Sequence, residues 1–206
     1  MLTTLPLPFY FLIGGLLSIF MPKGVIKSSF VCLVPILALI ALLNGTWEEG
    51  FKVQFLDLEL NFMRVDKLST VFGIIFCIAA FLGNVFAFHL RESTQPFVAL
   101  IYAGAAIGAV FAGDLITLFV YWELTAISSV FLIWARKTEG AYHSGMRYLI
   151  IQVLSGVILL FGVALFYFET GSISFVKMQL DSLATALIFI AFGIKCAFPF
   201  MHNWLQ

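Results

Sequence analysis

Apolar residues occupy this chain in long runs that charged residues seldom interrupt. Seven runs are each near or above the roughly 20 residues that a helix needs to cross about 30 Å of hydrocarbon. They are Met1 to Pro22, Ser28 to Trp47, Leu68 to Phe88, Ser93 to Gly113, Leu115 to Ala135, Tyr148 to Phe168 and Ser182 to Gln206. The pattern predicts an all-α integral membrane protein with about seven transmembrane helices.

The connection between the second and third runs, residues 48–66, has a different period. Phe51, Val53 and Phe55 alternate with polar residues, and the alternation continues in the opposite phase from Leu58. A period of two is typical of a half-buried strand. Two such segments in succession predict a short external β-hairpin between spans two and three.

Composition strengthens the membrane assignment. Hydrophobic residues make up 62% and charged residues 11% of the 206 positions, and the mean hydropathy is +1.08. A soluble domain of this size carries more charge. The zero formal net charge gives no sign of a nucleic-acid partner. We expect two regions: residues 1–92, with helices one to three and the hairpin, and residues 93–206, with helices four to seven.

The sign of the charges alternates between successive connections. One set of connections holds eight acidic residues against four basic ones, whereas the other set holds Lys23, Lys27, Arg91, Arg136, Lys137 and Arg147. Basic residues favour the inner side of a membrane. This distribution predicts an N-terminus outside and residue 206 inside.

The sequence lacks the common signatures of soluble enzymes. It has no glycine-rich phosphate loop after a strand, no paired Cys or His at ligand spacing and no Ser-His-Asp set. Cys32, Cys77 and Cys196 lie in apolar runs, where we expect buried free thiols. We therefore expect no cofactor, no metal ion and no enzymatic activity of the chain's own.

Lys195 is the first candidate for function, because it lies inside the otherwise uncharged run from Ser182 to Gln206. A charge in a membrane-length segment costs about 2.5 to 3.5 kcal/mol on insertion scales and usually faces a protein interior. Pro199 follows four residues later. Because a proline removes a backbone donor and disturbs the preceding turn, we expect helix seven to be broken near Pro199.

Glu123 is the second buried charge, nine residues into the fifth run and therefore about 12 Å deep. Two unpaired ions would together cost roughly 5 to 7 kcal/mol. We therefore expect Glu123 and Lys195 to approach each other, directly or through water. The pair could instead only hold helices five and seven together.

Span six carries a polar stripe at helical spacing. Tyr148, Gln152 and Ser155 stand at positions i, i+4 and i+7, on one face of a helix. The stripe is either an interhelical hydrogen-bonding face or a hydrated proton path. His202, seven residues after Lys195, is either an interfacial side chain or a proton relay toward the inside.

Three segments carry a resemblance to a known family. They are Asp114-Leu-Ile-Thr-Leu-Phe-x-Tyr-Trp-Glu123, the stretch Arg147–Ser172, and Lys195–Leu205. They resemble the proton-translocating antiporter-like subunits of respiratory complex I, membrane-bound hydrogenases and Mrp-type multisubunit sodium/proton antiporters. The likeness is greatest to the D-type subunit of the Mrp antiporters, and it covers the N-terminal half of such a subunit.

The resemblance implies a function and a setting. In that family a glutamate on helix five and a lysine on the broken helix seven form the proton-translocating pair of the first half-channel, and they match Glu123 and Lys195. It also implies a bacterial inner membrane, a hetero-oligomeric antiporter complex, and protons and sodium as the transported ions. Residues 93–206 would then form an incomplete first antiporter-like repeat.

Other interpretations remain open. The chain could be a membrane subunit of a complex I-like or hydrogenase-type proton pump, which would make it part of an NADH-quinone oxidoreductase complex. It could also be a truncated structural or assembly fragment without transport of its own. A seven-helix receptor is disfavoured by the two buried charges.

Overall fold

The computed structural model describes residues 5–45, 47, 50–56, 58–89, 94–202 and 204. Over these residues the chain is mainly helical. The helices are α1 (Leu7–Phe20), α2 (Val25–Asn44), α3 (Lys67–Phe86), α4 (Thr94–Phe111), α5 (Leu115–Trp134), α6 (Glu139–Thr170) and α7 (Leu183–Lys195). Two strands, β1 (Phe51–Phe55) and β2 (Leu58–Met63), lie between α2 and α3.

Five helices in the described part of the chain are long and apolar enough to cross a membrane. They are α2, α3 with its following 3-10 turn, α4, α5 and α6. Helices α1 and α7 are apolar but span 14 and 13 residues. The expected all-α membrane fold is confirmed, with two of the seven described helices, α1 and α7, too short to be candidate spans.

The first compact unit, Met1–Ala112, contains α1 to α4 and the hairpin. Its core includes Phe11, Val34 and Phe111, all buried. Small residues let the helices approach closely: a Cβ at Gly104 would lie 2.7 Å from the Cβ of Phe11. Packing of small residues against neighbouring helices is the usual way in which membrane helices associate.

The hairpin between spans two and three is confirmed. Its strands are antiparallel, and Phe55 at the end of β1 pairs with Leu58 at the start of β2. Leu56 adopts a left-handed backbone conformation with φ of 53°, which usually favours Gly or Asn. Residues 48, 49 and 57 of the expected 48–66 segment lie outside the described residues.

The second compact unit, Gly113–Gln206, contains α5, α6 and α7, with α6 packed against both other helices. A Cβ at Gly162 of α6 would lie 3.0 Å from the backbone nitrogen of Ile188 on α7. Before α5, Asp114 pairs with Ser174 in an antiparallel bridge. The unit is therefore closed both by helix packing and by the segment that joins α6 to α7.

Helix α6 is longer than the sequence pattern predicted. It begins at Glu139, nine residues before the expected start at Tyr148, because the Thr138 hydroxyl accepts a hydrogen bond from the Ala141 amide and caps the helix. His143 lies on the exposed first turns of α6. The apolar run from Tyr148 to Phe168 predicted only the part of α6 that follows these polar turns.

Two further expectations concern the cysteines and the domain division. All three cysteines are free, but Cys196 is exposed and Cys32 is only partly buried, so burial holds for Cys77 alone. Cys196 is exposed because it follows the last residue of α7.

The expected division at residues 92 and 93 falls outside the described residues and stays a prediction, whereas the boundary between the two compact units along the chain lies after Ala112.

Asp66 fixes the start of α3. Its side chain accepts a hydrogen bond of 2.8 Å from the Ser69 amide, and its own amide donates to the Ser69 hydroxyl at 2.8 Å. The bond from the Ser69 backbone is the main reason that the pKa of Asp66 lies below its usual value. The ionised carboxylate therefore stabilises the first turn of the helix.

We expect Asp66→Ala to lower the free energy of unfolding by about 1 kcal/mol near neutral pH, and Asp66→Asn to retain most of it. Because the folded-state pKa is lowered, the contribution of the carboxylate is present above the unfolded value and is lost as the pH falls through the folded value. The deficit should thus shrink below about pH 4. Thermal unfolding in detergent at several pH values measures it, with exposed Asp181→Ala as the control. Equal stability of the Ala variant and the natural protein at pH 7 would contradict the capping role.

Candidate functional site

Helix α7 ends at Lys195, four residues before Pro199. A proline ring clashes with the carbonyl of the residue four positions earlier, which in a continued helix would be that of Lys195. The chain turns instead at Ala197, with φ of 54°, and the Phe198 amide donates to the Gly193 carbonyl at 2.9 Å. The expected break near Pro199 is confirmed, and it places Lys195 at the helix end.

The ammonium of Lys195 is bound by Trp122 of α5. Its Nζ donates to the Trp122 carbonyl at 3.3 Å and lies 4.9 Å from the centroid of the indole ring, within cation–π range. Phe192, one turn before Lys195, packs edge-on against the same indole at 5.0 Å. Trp122 therefore supplies both a hydrogen-bond acceptor and an electron-rich face to the buried charge.

Glu123 follows Trp122 directly but contacts α6. Its Oε1 atom is buried and has no hydrogen-bond partner among the described residues. Gly156 of α6 leaves the space that this atom fills, since a Cβ at that position would overlap Oε1. Within the described chain Glu123 and Lys195 form no direct ion pair, although Glu123 is the charged group that acts electrostatically on Lys195.

The polar stripe of α6 lies beside this pair. Gln152 is 1% exposed, and its Oε1 has no partner among the residues that the structure describes. Ser155 is fully buried; its hydroxyl donates to the Gln152 carbonyl at 2.6 Å and accepts from the Trp122 indole at 3.3 Å. The side chains of Glu123 and Gln152 thus leave two acceptor oxygens unsatisfied on facing parts of α5 and α6, where a water molecule or a proton donor would be stabilised.

Tyr148 connects α6 to the segment beyond the break. Its hydroxyl and that of Ser129 on α5 are hydrogen-bonded at 2.6 Å, and its ring packs edge-on against Trp204 at 5.6 Å. The Trp204 indole donates to the Ile194 carbonyl at 2.9 Å. The same carbonyl, which lacks its helical partner after the break of α7, also accepts from the Ala197 amide at 3.1 Å.

The remaining sequence candidates lie farther along the chain. Pro199 and His202 are exposed, and His202 has no hydrogen-bond or ion-pair partner among the described residues. No contact therefore joins His202 to Lys195. In the described ranges no group of three or more His, Cys, Asp or Glu side chains is placed to hold a metal ion.

Sequence reasoning missed Trp122 and Gly156. An indole beside a buried carboxylate was a usable signal for Trp122, because Trp in a membrane helix needs a partner for its N–H. Gly156, four residues after Gln152 on the polar stripe, was a usable signal for close approach to α6. Neither signal predicts which residue Trp122 or Gly156 contacts, because that depends on the rotation of α5, α6 and α7 about their own axes.

Comparison with known sequences identifies relatives. Residues 112–206 match the family described as NADH:quinone oxidoreductase/Mrp antiporter, transmembrane. The A-type Na(+)/H(+) antiporter subunit of Alkalihalophilus pseudofirmus is 30% identical, over 72% of this chain and 21% of that protein. The D-type antiporter subunit of the same organism is 24% identical, over 99% of this chain and 46% of that protein. The chain thus spans between about a fifth and a half of these relatives, and the resemblance to antiporter subunits is confirmed.

Comparison with solved structures identifies the fold. The Mrp complex from Dietzia sp. DQ12-45-1b matches with a TM-score of 0.77 and 22% identity, over 97% of this chain and 42% of that chain. Respiratory complex I from Thermus thermophilus with bound NADH matches with a TM-score of 0.78 and 21% identity, over 97% of this chain and 45% of that chain. The chain therefore has the fold of the membrane subunits in these complexes.

We expect Gly156→Ala to move the Glu123 carboxylate out of its recess against α6. The overlapping atom is the end of a flexible side chain, and Ala favours a helix by about 1 kcal/mol over Gly, so the free energy of unfolding should change by less than about 1 kcal/mol. The displaced carboxylate should react several-fold faster with a hydrophobic carbodiimide, as measured by mass spectrometry. Gly140→Ala on the same helix, where a Cβ meets open space, is the matched control. Unchanged labelling of Glu123 in Gly156→Ala would show that the recess does not hold it.

Proposed function

We propose that the chain is part of a proton-translocating subunit of a multisubunit sodium/proton antiporter, because residues 112–206 match the NADH:quinone oxidoreductase/Mrp antiporter transmembrane family. The observation that carries the proposal is the partly buried ammonium of Lys195, bound to Trp122 at the helix break. Relatives named as Na(+)/H(+) antiporter subunits support the transport class.

Lys195 is the proton carrier in this proposal. Its side chain has a flexible four-carbon stem and three donors, and it can exist as an ammonium or a neutral amine. Movement toward the Glu123 carboxylate favours the charged form, and movement away favours proton release. A change of about 2.3 kcal/mol in the free energy of protonation equals the work of moving one charge through 100 mV.

Water reaches the pair along α6. Ser155 and Gln152 lie on the same helix as Gly156, which adjoins the unsatisfied oxygen of Glu123, and Tyr148 continues the polar stripe toward Trp204 and the break. A hydrated stripe of this kind conducts protons between hydrogen-bonded groups. His202, exposed beyond the break, then passes protons to the inside.

The same proposal specifies the surroundings of the chain. It is a multi-pass membrane protein, and we assign it to the bacterial inner membrane with the N-terminus outside and residue 206 inside, following the distribution of basic residues. Other subunits of a hetero-oligomeric antiporter complex are its partners. Protons and sodium are the transported ions.

A second candidate is a membrane subunit of a complex I-like proton pump. The family description covers both classes, and the fold matches complex I as closely as it matches the Mrp complex. A redox-driven pump would use the same pair. Flavin and iron–sulfur subunits that co-purify with the chain would establish this alternative.

We expect Lys195→Arg to keep a positive charge on Trp122 and to assemble normally, but to reduce exchange about 100-fold or more. An arginine does not lose its proton at accessible pH, and proton transfer by a positioned group contributes about 10²-fold or more. Sodium/proton exchange of the complete complex in inverted vesicles measures the loss. Lys177→Arg, at an exposed lysine of the same unit, is the control. Exchange by Lys195→Arg near the natural rate would exclude the carrier role.

We expect Glu123→Gln to reduce exchange and to move its alkaline limb to lower pH by about one unit. The carboxylate stabilises the protonated carrier, so its loss lets the amine release its proton at lower pH. Exchange rates across pH in the same vesicles provide the measurement, with exposed Glu169→Gln at the end of α6 as the control. A profile identical to that of the natural protein would leave Glu123 a structural residue.

A further inference from the structure

The Lys195 ammonium is bound to the carbonyl and ring of Trp122, a position that we call the Trp122 seat. A mechanism that contains only a lysine and a glutamate does not explain this contact. The Trp122 carbonyl accepts from Nζ at 3.3 Å, and the indole centroid lies 4.9 Å from the same atom. We infer that Trp122 is a positioning residue that holds the protonated carrier apart from Glu123. This role rests on the proposed function of Lys195, because only a carrier needs two separate positions.

Two contacts hold the indole in place, and Trp122 is buried. Its N–H donates to the buried Ser155 hydroxyl of α6 at 3.3 Å, Phe192 of α7 packs against the ring at 5.0 Å, and the side chain is only 5% exposed. The ring therefore stays in place when the flexible lysine leaves it. A fixed acceptor and a mobile donor are what a defined resting position requires.

The second position is one residue away but points in a different direction. Successive residues of an α-helix project about 100° apart, so Trp122 and Glu123 present separate seats on α5. Trp122 holds the ammonium on the α7 side, whereas the Oε1 atom of Glu123 fills the space left by Gly156 on α6. With Lys195 on Trp122, that carboxylate oxygen has no partner among the described residues, and it remains available to an arriving proton or lysine.

The Trp122 seat distinguishes the two protonation states. A cation is attracted to the ring face, whereas a neutral amine is not. Loss of the proton therefore weakens the seat and frees the side chain to move, and a weakened ring face makes the proton easier to lose. Trp122 thus helps to set the pH at which Lys195 discharges.

Other ionisable groups near Lys195 are few. Glu123 on α5 acts on it electrostatically, Tyr148 on α6 packs against Trp204 just past the break, and the segment after Lys195 adds the exposed Cys196 and His202. A test must weaken the indole face and leave these groups unchanged. Fluorination of the ring does this, since fluorine withdraws electrons and changes the shape little.

The experiment places mono-, di- and trifluorotryptophan at position 122 in the complete complex. The rate at which the Lys195 amine reacts with an acylating reagent is measured by mass spectrometry at each pH, because only the neutral amine reacts. The pH of the half-maximal rate gives the titration midpoint. We expect this pH to fall stepwise with each fluorine, by about one unit in total. Trp134, on the same helix but packed against Phe131 and Tyr142, is substituted in the same way and should leave the titration unchanged.

A Lys195 titration that does not move along the Trp122 series, or moves equally along the Trp134 series, overturns the inference. Exchange in inverted vesicles is measured on the same proteins. A stepwise shift of amine reactivity that exchange follows supports both the seat and the carrier. The same shift without any change in the pH profile of exchange supports the seat and contradicts the proposed function of Lys195.

Discussion

A positive charge in apolar surroundings must be solvated by the protein, and the second unit of this chain is arranged around that requirement. Hydrocarbon has no hydrogen-bond acceptor for the Lys195 ammonium, so the charge needs acceptors from neighbouring helices. The carbonyl and ring of Trp122 supply them. Removal of these contacts would leave a buried charge uncompensated, which is far more costly than an ordinary packing defect. Lys195 and Phe192 of α7 thus both contact α5 through Trp122.

The break of α7 is the second part of the same arrangement. A continued helix would have enclosed the backbone around Lys195, whereas the turn after it exposes the end of the helix. The freed backbone groups are not left unsatisfied, because the Trp204 indole and the Phe198 amide bond the Ile194 and Gly193 carbonyls. Irregular backbone at such depth is tolerated where it is buried in protein or lines a wet cavity. The break thus ends α7 at Lys195 without the cost of bare carbonyls.

Much of this architecture could be predicted from the sequence. Long apolar runs identified the membrane helices, a period of two identified the hairpin, and the spacing of Lys195 and Pro199 identified the end of α7. The early start of α6 could not be read from hydropathy, because its first turns are polar and held by the Thr138 cap. The contacts of Glu123 and Lys195 could not be predicted either. The free-energy cost of a buried charge indicates that each needs a partner, but it does not specify which atoms provide it. In the structure Lys195 contacts Trp122, and Glu123 fills the space at Gly156. The rotation of each of the three helices about its axis determines which neighbour a side chain contacts.

In the proposed mechanism, Glu123 and Lys195 act as one unit in proton transfer. A double-mutant cycle on the residual exchange rate of the complete complex tests it, with Glu123→Gln, Lys195→Met and the combined variant compared at one pH. Residues that act as a unit are strongly non-additive. We expect the combined variant to be no slower than the slower single variant, within about threefold. A combined loss equal to the product of the two single losses would contradict it.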